Sequence, residues 1–472
     1  MNEATPVQDS VRTGESASTE TSDPVISRDR TGPGPSGTET TAGPGPSGTD
    51  AAAEPDPAGA RSPARGAVLT VYVVAMCMNG LDATIVNPAL FVIATDLGVT
   101  PAASNLVEGA FLATLAVIMP VAGWLCDRYG AARVFLGALA LFTAASALCG
   151  IAWNLESLVA FRVLQGIGGG VLTPAGMTML FTAYPPEERM RLSRYIVVPT
   201  ALAPVLGPVL GGLLAEHLSW RWAFLINVPF GLAAVTLGLV AMGGSLRAVP
   251  GAAERTAEDT APEPGTADGE VPEPRGSGRS GLAGLLALRV LADRGFLRGT
   301  ATASLAAAGL MGMLFAFPLM YQDALGASAA DAGLVVFPEA LGLMAAGFLV
   351  DRTCARWGER RVTALGLLGG AALFAVLALT TPGPWTLRAI MFSVGLVLGQ
   401  AVTAVQVSAF TSIGPEVMGR AMTLFQSLRM LAGALGVGAC GLVLPLGYPA
   451  ALLLSAAFLL SAFLASVLIT PR

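Results

Sequence analysis

The segment Gly123-Trp124-Leu125-Cys126-Asp127-Arg128-Tyr129-Gly130 ends one long apolar run, and Gly347-Phe348-Leu349-Val350-Asp351-Arg352 ends another in the second half of the chain. Each sets a glycine, a leucine, an aspartate and an arginine at the same spacing, with the charges where the apolar residues stop. In the second copy the closing glycine, Gly358, stands four residues later than the first copy would put it. One device at one place in each half marks a duplicated unit. Working outward from it, the apolar runs are 67–93, 104–125, 134–153, 157–181, 195–216 and 223–244, then 298–321, 330–350, 362–381, 388–411, 419–443 and 448–469. Each is long enough to cross about 30 Å of hydrocarbon at about 1.5 Å per residue. Internal Gly and Pro do not argue against helix in that setting. The expected fold is an all-α integral membrane protein with twelve transmembrane helices, arranged as two pseudo-symmetric six-helix bundles.

Composition agrees. Of 472 residues, 53% are hydrophobic and 12% charged, against about a quarter charged in soluble domains. That excludes a soluble globular protein, a nucleic-acid binder and a disulfide-stapled secreted scaffold. The lone histidine is His217, and all 27 basic residues are arginines. Metal or triad chemistry built on histidine, and lysine Schiff-base or P-loop chemistry, therefore have almost no material. No nucleophile–base pair or metal set is visible, so neither an enzyme nor a bound cofactor is expected. The five cysteines lie in apolar segments or beside charged connectors and read as small core hydrophobes rather than a disulfide framework.

Residues 1–66 form a polar tail with ten acids and five arginines, in which Gly32-Pro-Gly-Pro-Ser-Gly-Thr38 recurs as Gly43-Pro-Gly-Pro-Ser-Gly-Thr49. Such a stretch cannot bury enough surface to offset its ordering entropy. It contains no apolar signal-peptide core. The N-terminal bundle is expected at 67–244, a polar linker at 245–297 and the C-terminal bundle at 298–472, with 282–297 reading as an interfacial helix. The connectors 126–133, 182–194 and 351–361 hold nine arginines, whereas the opposite connectors hold Arg221, with Arg388 at a span edge. The positive-inside rule puts the nine, both termini and the linker in the cytoplasm of a multi-pass cell-membrane protein.

A charge inside a span is costly and marks a functional candidate. Asp82 in span 1, Glu108 in span 2, Arg162 in span 4, Glu339 in span 8 and Arg429 near the middle of span 11 are such charges. A carboxylate in a dry cavity can be neutralised by a proton or by an arginine, and alternating between the two couples proton flow to another flow. For Asp82 and Arg162 the alternative is a static pair holding two helices together. Glu108 could instead sit in water at a cavity mouth, and Glu339 could be a hydrogen-bonded packing group. Arg429 reads as structural, anchoring a lipid or a carbonyl. Gly166, Gly168, Gly169 and Gly170 lie in an apolar helix with no preceding strand, so they serve close helix approach rather than phosphate binding. Gly207, Gly211 and Gly212 read the same way, and Pro208 frees a carbonyl and bends span 5. Gly123 and Asp127 share a helix face at i, i+4.

These motifs resemble those of the major facilitator superfamily. Gly123-x-Leu125-x-Asp127-Arg128-x-Gly130-x-x-Arg133 is similar to its loop 2–3 motif, and Arg162-Val-Leu-Gln165-Gly166-Ile-Gly168 to the arginine motif of proton-driven members. Gly207-Pro208-Val-Leu-Gly211-Gly212 resembles the antiporter motif. Leu81-Asp82-Ala-Thr84-Ile-Val-Asn87-Pro-Ala-Leu90 and Trp220-Arg-Trp-Ala-Phe-Leu-Ile-Asn227-Val-Pro229 resemble segments of the drug:proton antiporters that usually have fourteen spans. Two departures stand out: a polar linker replaces the extra helix pair, and Ala203 stands where the antiporter motif usually opens with glycine.

The resemblance implies proton-coupled export of hydrophobic or cationic small molecules by alternating access, powered by the proton gradient and operating as a monomer. It pairs Asp82 with Arg162 and adds Glu108 and Glu339 to the coupling set. It makes Gly123, Asp127, Arg128, Gly130 and Arg133 a latch that is made and broken. A midplane substrate cavity is expected between the halves, with Gln165, Gln400 and Gln406 as polar orienters and Phe111, Phe315 and Met391 as apolar walls. An exporter dedicated to one endogenous metabolite, or a non-transporting receptor on the same fold, remains open at this point.

Overall fold

The computed structural model describes residues 62–184, 186–242, 293–380, 382–414 and 417–468. These belong to one unit, Asp56–Arg472. The tail, its repeat and most of the linker lie outside the described residues.

Fourteen α-helices follow one another among the described residues. The N-terminal half holds α1 (Ser62–Ile85), α2 (Leu90–Asp96), α3 (Asn105–Tyr129), α4 (Ala131–Gly150), α5 (Leu155–Ala183), α6 (Pro186–His217), α7 (Trp222–Leu225) and α8 (Asn227–Ala241). The C-terminal half holds α9 (Arg294–Asp323), α10 (Ala329–Trp357), α11 (Glu359–Leu379), α12 (Pro384–Phe410), α13 (Met418–Val443) and α14 (Tyr448–Leu468). Helix is the local solution because hydrocarbon offers no partner to backbone N–H and C=O groups. Among the described residues eleven helical segments are long and apolar enough to cross a membrane. The remaining one, α6, contributes Leu202–His217 as its described apolar stretch.

The chain departs from the sequence expectation at four places. Span 1 is not continuous: α1 stops at Ile85, a 3-10 turn covers Asn87–Ala89, and α2 resumes at Leu90. Pro88 lacks the N–H that a continuous helix needs there. Span 6 is divided at Ile226 between α7 and α8. The connector expected at 182–194 is helical from Pro186 onward, and α9 begins at Arg294, inside the stretch expected as linker.

Each half repeats one pattern of neighbours. Its first span lies against its fifth and sixth, its second against its fourth, and its third against its fourth and sixth. The halves meet through two symmetry-related pairs, α3 with α13 and α6 with α10. The repeated G-x-L-x-D-R segments end α3 and α10. Gly130 (φ 84°) and Gly358 (φ 81°) close them, each N–H bonded to the carbonyl four residues back, Cys126 and Cys354, at 2.9 Å. Both then start the next helix, in a left-handed conformation that glycine adopts without cost. Counted from the shared aspartate, α10 runs one turn further than α3. A whole-turn insertion keeps the flanking faces in register.

Contacts between the halves gather at the end away from Arg128. The Cβ position of Gly441 falls on the Asn105 side chain, that of Gly212 on the Ala329 carbonyl, and that of Gly333 on the Pro208 carbonyl. Only glycine lets these backbones approach so closely. The Ala330 N–H donates to Glu216 Oε2 at 2.9 Å, and Gln322 Nε2 donates to the Pro88 carbonyl at 2.9 Å. At the arginine-rich end, the Cβ positions of Gly123, Gly130, Gly347 and Gly358 meet nothing within 4 Å.

Candidate functional site

The centre of the N-terminal half is a sealed polar knot. Asp82 comes from the last turn of α1, Arg162 and Gln165 from α5, Ser146 from α4 and Asn227 from the start of α8. Asp82, Arg162, Gln165 and Ser146 are fully buried, and Asn227 is 1% exposed. Arg162 Nη1 lies 2.6 Å from Asp82 Oδ2. Gln165 Nε2 and Asn227 Nδ2 both donate to Asp82 Oδ1, at 2.8 and 3.0 Å. Arg162 Nη1 also donates to Gln165 Oε1 at 2.8 Å, and its Nε donates to the Val107 carbonyl at 3.2 Å. Gln165 Nε2 donates further to Ser146 Oγ at 2.7 Å. The guanidinium lies over Phe111, 4.0 Å from the ring centroid, and 5.6 Å from that of Phe224, a cation–π environment that suits a desolvated arginine.

Glu108, one residue beyond the carbonyl that Arg162 holds, is 3% exposed. Its Oε2 and Arg162 Nη2 are both buried with no hydrogen-bond partner. The knot and Glu108 thus hold two carboxylates and one arginine. Arginine keeps its proton, so the buried group is electrically neutral only when one carboxylate holds a proton. Glu108 has no ion pair among the described residues. It does not sit in water at a cavity mouth.

The antiporter-motif glycines bind α6 to α1. The Cβ position of Gly207 falls on Thr84 Oγ1, and that of Gly211 on the Ile85 carbonyl. Pro208 cannot donate to the Pro204 carbonyl, and Thr84 Oγ1 donates to that carbonyl instead, at 3.0 Å. Gly212 faces Ala329 across the interface between halves. One short run of α6 therefore touches both the helix carrying Asp82 and the opposite half.

Glu339 is 5% exposed, with no hydrogen bond or ion pair among the described residues, at the point where its own backbone carbonyl meets the Cβ position of Gly395 on α12. It is not a hydrogen-bonded packing group. Asp127 and Arg128 are exposed, with Arg128 5.7 Å from the Tyr129 ring centroid, and Asp127 makes no ion pair among the described residues. Arg133 is half-buried.

The expected cavity lining needs correction. Gln165 is locked into the knot, Phe111 is the platform under Arg162, and Phe315 and Met391 are buried in the apolar core. None of these four lines an open wall in this conformation. Gln400 and Gln406 are half-buried on α12. The structure does not bring these six together.

Sequence reasoning missed Asn227 and Ser146. Asn227 lay within the Trp220–Pro229 segment, where a buried amide at a helix start was a usable signal; Ser146 in an apolar helix gave none. The same segment braces the end away from Arg128. Trp220 Nε1 and Arg221 Nη1 both donate to Asp96 Oδ2, at 2.8 and 2.9 Å, and Arg221 Nη2 donates to the Ala152 carbonyl at 3.2 Å.

A duplicated bundle of membrane-crossing helices with an ion pair sealed in one half is the architecture of a secondary transporter. The profile of the Major Facilitator Superfamily matches residues 72–437, and the chain belongs to that family of transporters. It is similar to the "Putative multidrug resistance protein MdtD" of Serratia proteamaculans (strain 568), 32% identical over 398 residues that cover 78% of this chain and 82% of that protein. The protein of the same name from Klebsiella pneumoniae (strain 342) is 32% identical over 407 residues, covering 78% of this chain and 84% of its own. Among solved structures, the nucleoside transporter NupG matches 86% of this chain and 98% of its own at 14% identity, with a TM-score of 0.64. A bacterial homologue of the human lysosomal transporter Spinster matches 86% of this chain and 95% of its own at 19% identity, with a TM-score of 0.59. These structural likenesses concern the fold.

Proposed function

We propose that this transporter exports hydrophobic small molecules across the cell membrane in exchange for protons, with its arginine-rich end in the cytoplasm. The observation that carries the reading is the buried set of Asp82, Arg162 and Glu108, in which two carboxylates compete for one arginine. With the proton on Glu108, Asp82 holds the arginine. When the proton moves to Asp82, Arg162 loses its anchor, and Glu108, beside the Val107 carbonyl that Arg162 already touches, becomes the next acceptor. Removing one member of a buried pair costs about 3–5 kcal/mol, enough to shift a two-state equilibrium decisively. Thr84, two residues from Asp82 and bonded to the Pro204 carbonyl, carries the change to α6 and so to the interface with α10.

Similarity to the multidrug resistance proteins supports hydrophobic substrates. The arginine-rich end, where the paired helices stand apart, is the cytoplasmic mouth from which such molecules would enter, and Asp127 is an open latch in that state. The test is reconstitution of the full chain into vesicles with a pH indicator inside. Substrate-dependent proton movement is expected, and its disappearance in Asp82→Asn together with loss of uphill efflux. Gradient-driven efflux without proton movement would overturn the reading.

A further inference from the structure

Of the polar atoms buried without a hydrogen-bond partner, four lie on facing sides of α9 and α13: Thr300 Oγ1, Ser304 Oγ, Gln426 Oε1 and Arg429 Nε. On α9, Thr300, Ser304 and Met311 share one face by helical spacing, and on α13 so do Gln426, Arg429 and Gly433. The two faces converge, because Met311 Cγ lies 3.1 Å from the Cβ position of Gly433. The helices run the same way, and residues in contact differ by 122 positions at Met311 and Gly433 and by 128 where the Cβ position of Gly436 meets the Ala308 carbonyl and that of Gly312 lies 2.6 Å from Cys440 Sγ. Those contacts put Arg429 at the level of residues 301–307 of α9, the stretch that contains Ser304 and begins one residue after Thr300.

The place of this cluster matters. Gly433 also touches α3 of the other half, its Cβ position 3.9 Å from Leu112 Cδ1. Arg429 lies one turn further from the closed end on the same face. It is about 17 Å along the axis from Met418 by helix rise. Among the described residues no carboxylate pairs with it and no carbonyl accepts from its Nε.

A buried carboxylate such as Glu339 can become neutral by holding a proton. An arginine has no such escape; a mid-span charge is met by an opposite charge, a backbone carbonyl or a water-filled cavity, and the half-buried Arg429 has neither of the first two among the described residues. The Asp82 carboxylate is already spent on Arg162. We infer that Arg429, with Gln426, Thr300 and Ser304, forms the subsite for an anionic group on the substrate, so that the exported molecules are amphipathic compounds bearing a carboxylate, sulfonate or phosphate rather than cations. This names the substrate class for the export reading above and rests on it.

Three dyes with one fluorophore separate the possibilities: dansylglycine (anionic), dansylamide (neutral) and dansylcadaverine (cationic). Binding of each to the purified full-length protein in micelles, with no proton gradient, reports the subsite alone. The parent is expected to bind dansylglycine at least about tenfold tighter than dansylamide, a difference of about 1.4 kcal/mol. Arg429→Gln should erase that preference while leaving dansylamide binding within about twofold, and Arg429→Lys should keep part of it. Gln426→Glu supplies an internal carboxylate at i, i+3 and should erase the preference even if Arg429→Gln fails to fold. Preference for dansylcadaverine, failure of the parent to bind dansylglycine, or an equal loss of all three dyes in the variants would overturn the proposal. Export of the same dyes from vesicles is scored separately. Anion preference in micelles without proton-driven export would sink the export reading and leave the subsite standing.

Discussion

The Thr84 hydroxyl donates to the carbonyl of Pro204 at 3.0 Å, the carbonyl that Pro208 leaves free four residues on. A kink in one helix is thus satisfied by a side chain two residues from Asp82 on another. Thr84→Val keeps the shape and removes the donor. It should cost about 0.5–1.5 kcal/mol, read as a lowered Tm, and slow turnover with substrate affinity unchanged. Thr84→Ser should restore both. Normal turnover in the valine variant would uncouple the kink from cycling.

Asp82→Asn leaves Arg162 without its carboxylate and should lower thermal stability and abolish uphill efflux, with downhill exchange partly retained. The double variant Asp82→Asn/Arg162→Gln removes the stranded charge and should recover much of the stability, since losing both partners of a buried pair is cheaper than losing one. It should recover none of the proton coupling. Recovery of coupling in the double variant would assign the proton to Glu108 and Glu339 alone.

Gly333→Ala pushes a methyl group onto the Pro208 carbonyl of the opposite half. The end that is closed here must part, so a cysteine placed at Ala330 should react with a membrane-impermeant thiol reagent several-fold faster than in the parent, as expected for a population shift of about 1 kcal/mol. An unchanged rate would show that the contact does not hold the end shut.

Asp127→Asn should leave dye binding intact and slow the cycle, because Asp127 is exposed and has no ion pair among the described residues in this conformation, and the latch would form in one where the arginine-rich ends meet. Stopped-flow exchange in vesicles separates the two. Weakened binding with normal cycling would move Asp127 from the latch to the site.

Asp82 and Arg162 were legible because a charge in an apolar run stands out at any register. Their meeting was not derivable from the residues alone and came from the family resemblance. Asn227 and Ser146 stayed hidden because neutral polar residues are common in apolar helices, and only packing decides which of them turn inward. The misplaced cavity wall has the same origin. Phe111, Phe315 and Met391 read from the sequence as apolar residues near the midplane, yet whether such a residue faces a route or a neighbour depends on helix rotation and packing. The break at Asn87–Ala89 was the more readable failure, since Pro88 announces it.

The extra turn of α10 gives the arginine-rich mouth an uneven rim. Measured from the matched aspartates, the lip formed by Arg356, Trp357 and Gly358 stands about 6 Å taller than its counterpart at Tyr129 and Gly130. Because α3 borders α13 and α10 borders α6, the two rims face different partners, and one rotation of the halves carries the taller rim further past its neighbour than the shorter one.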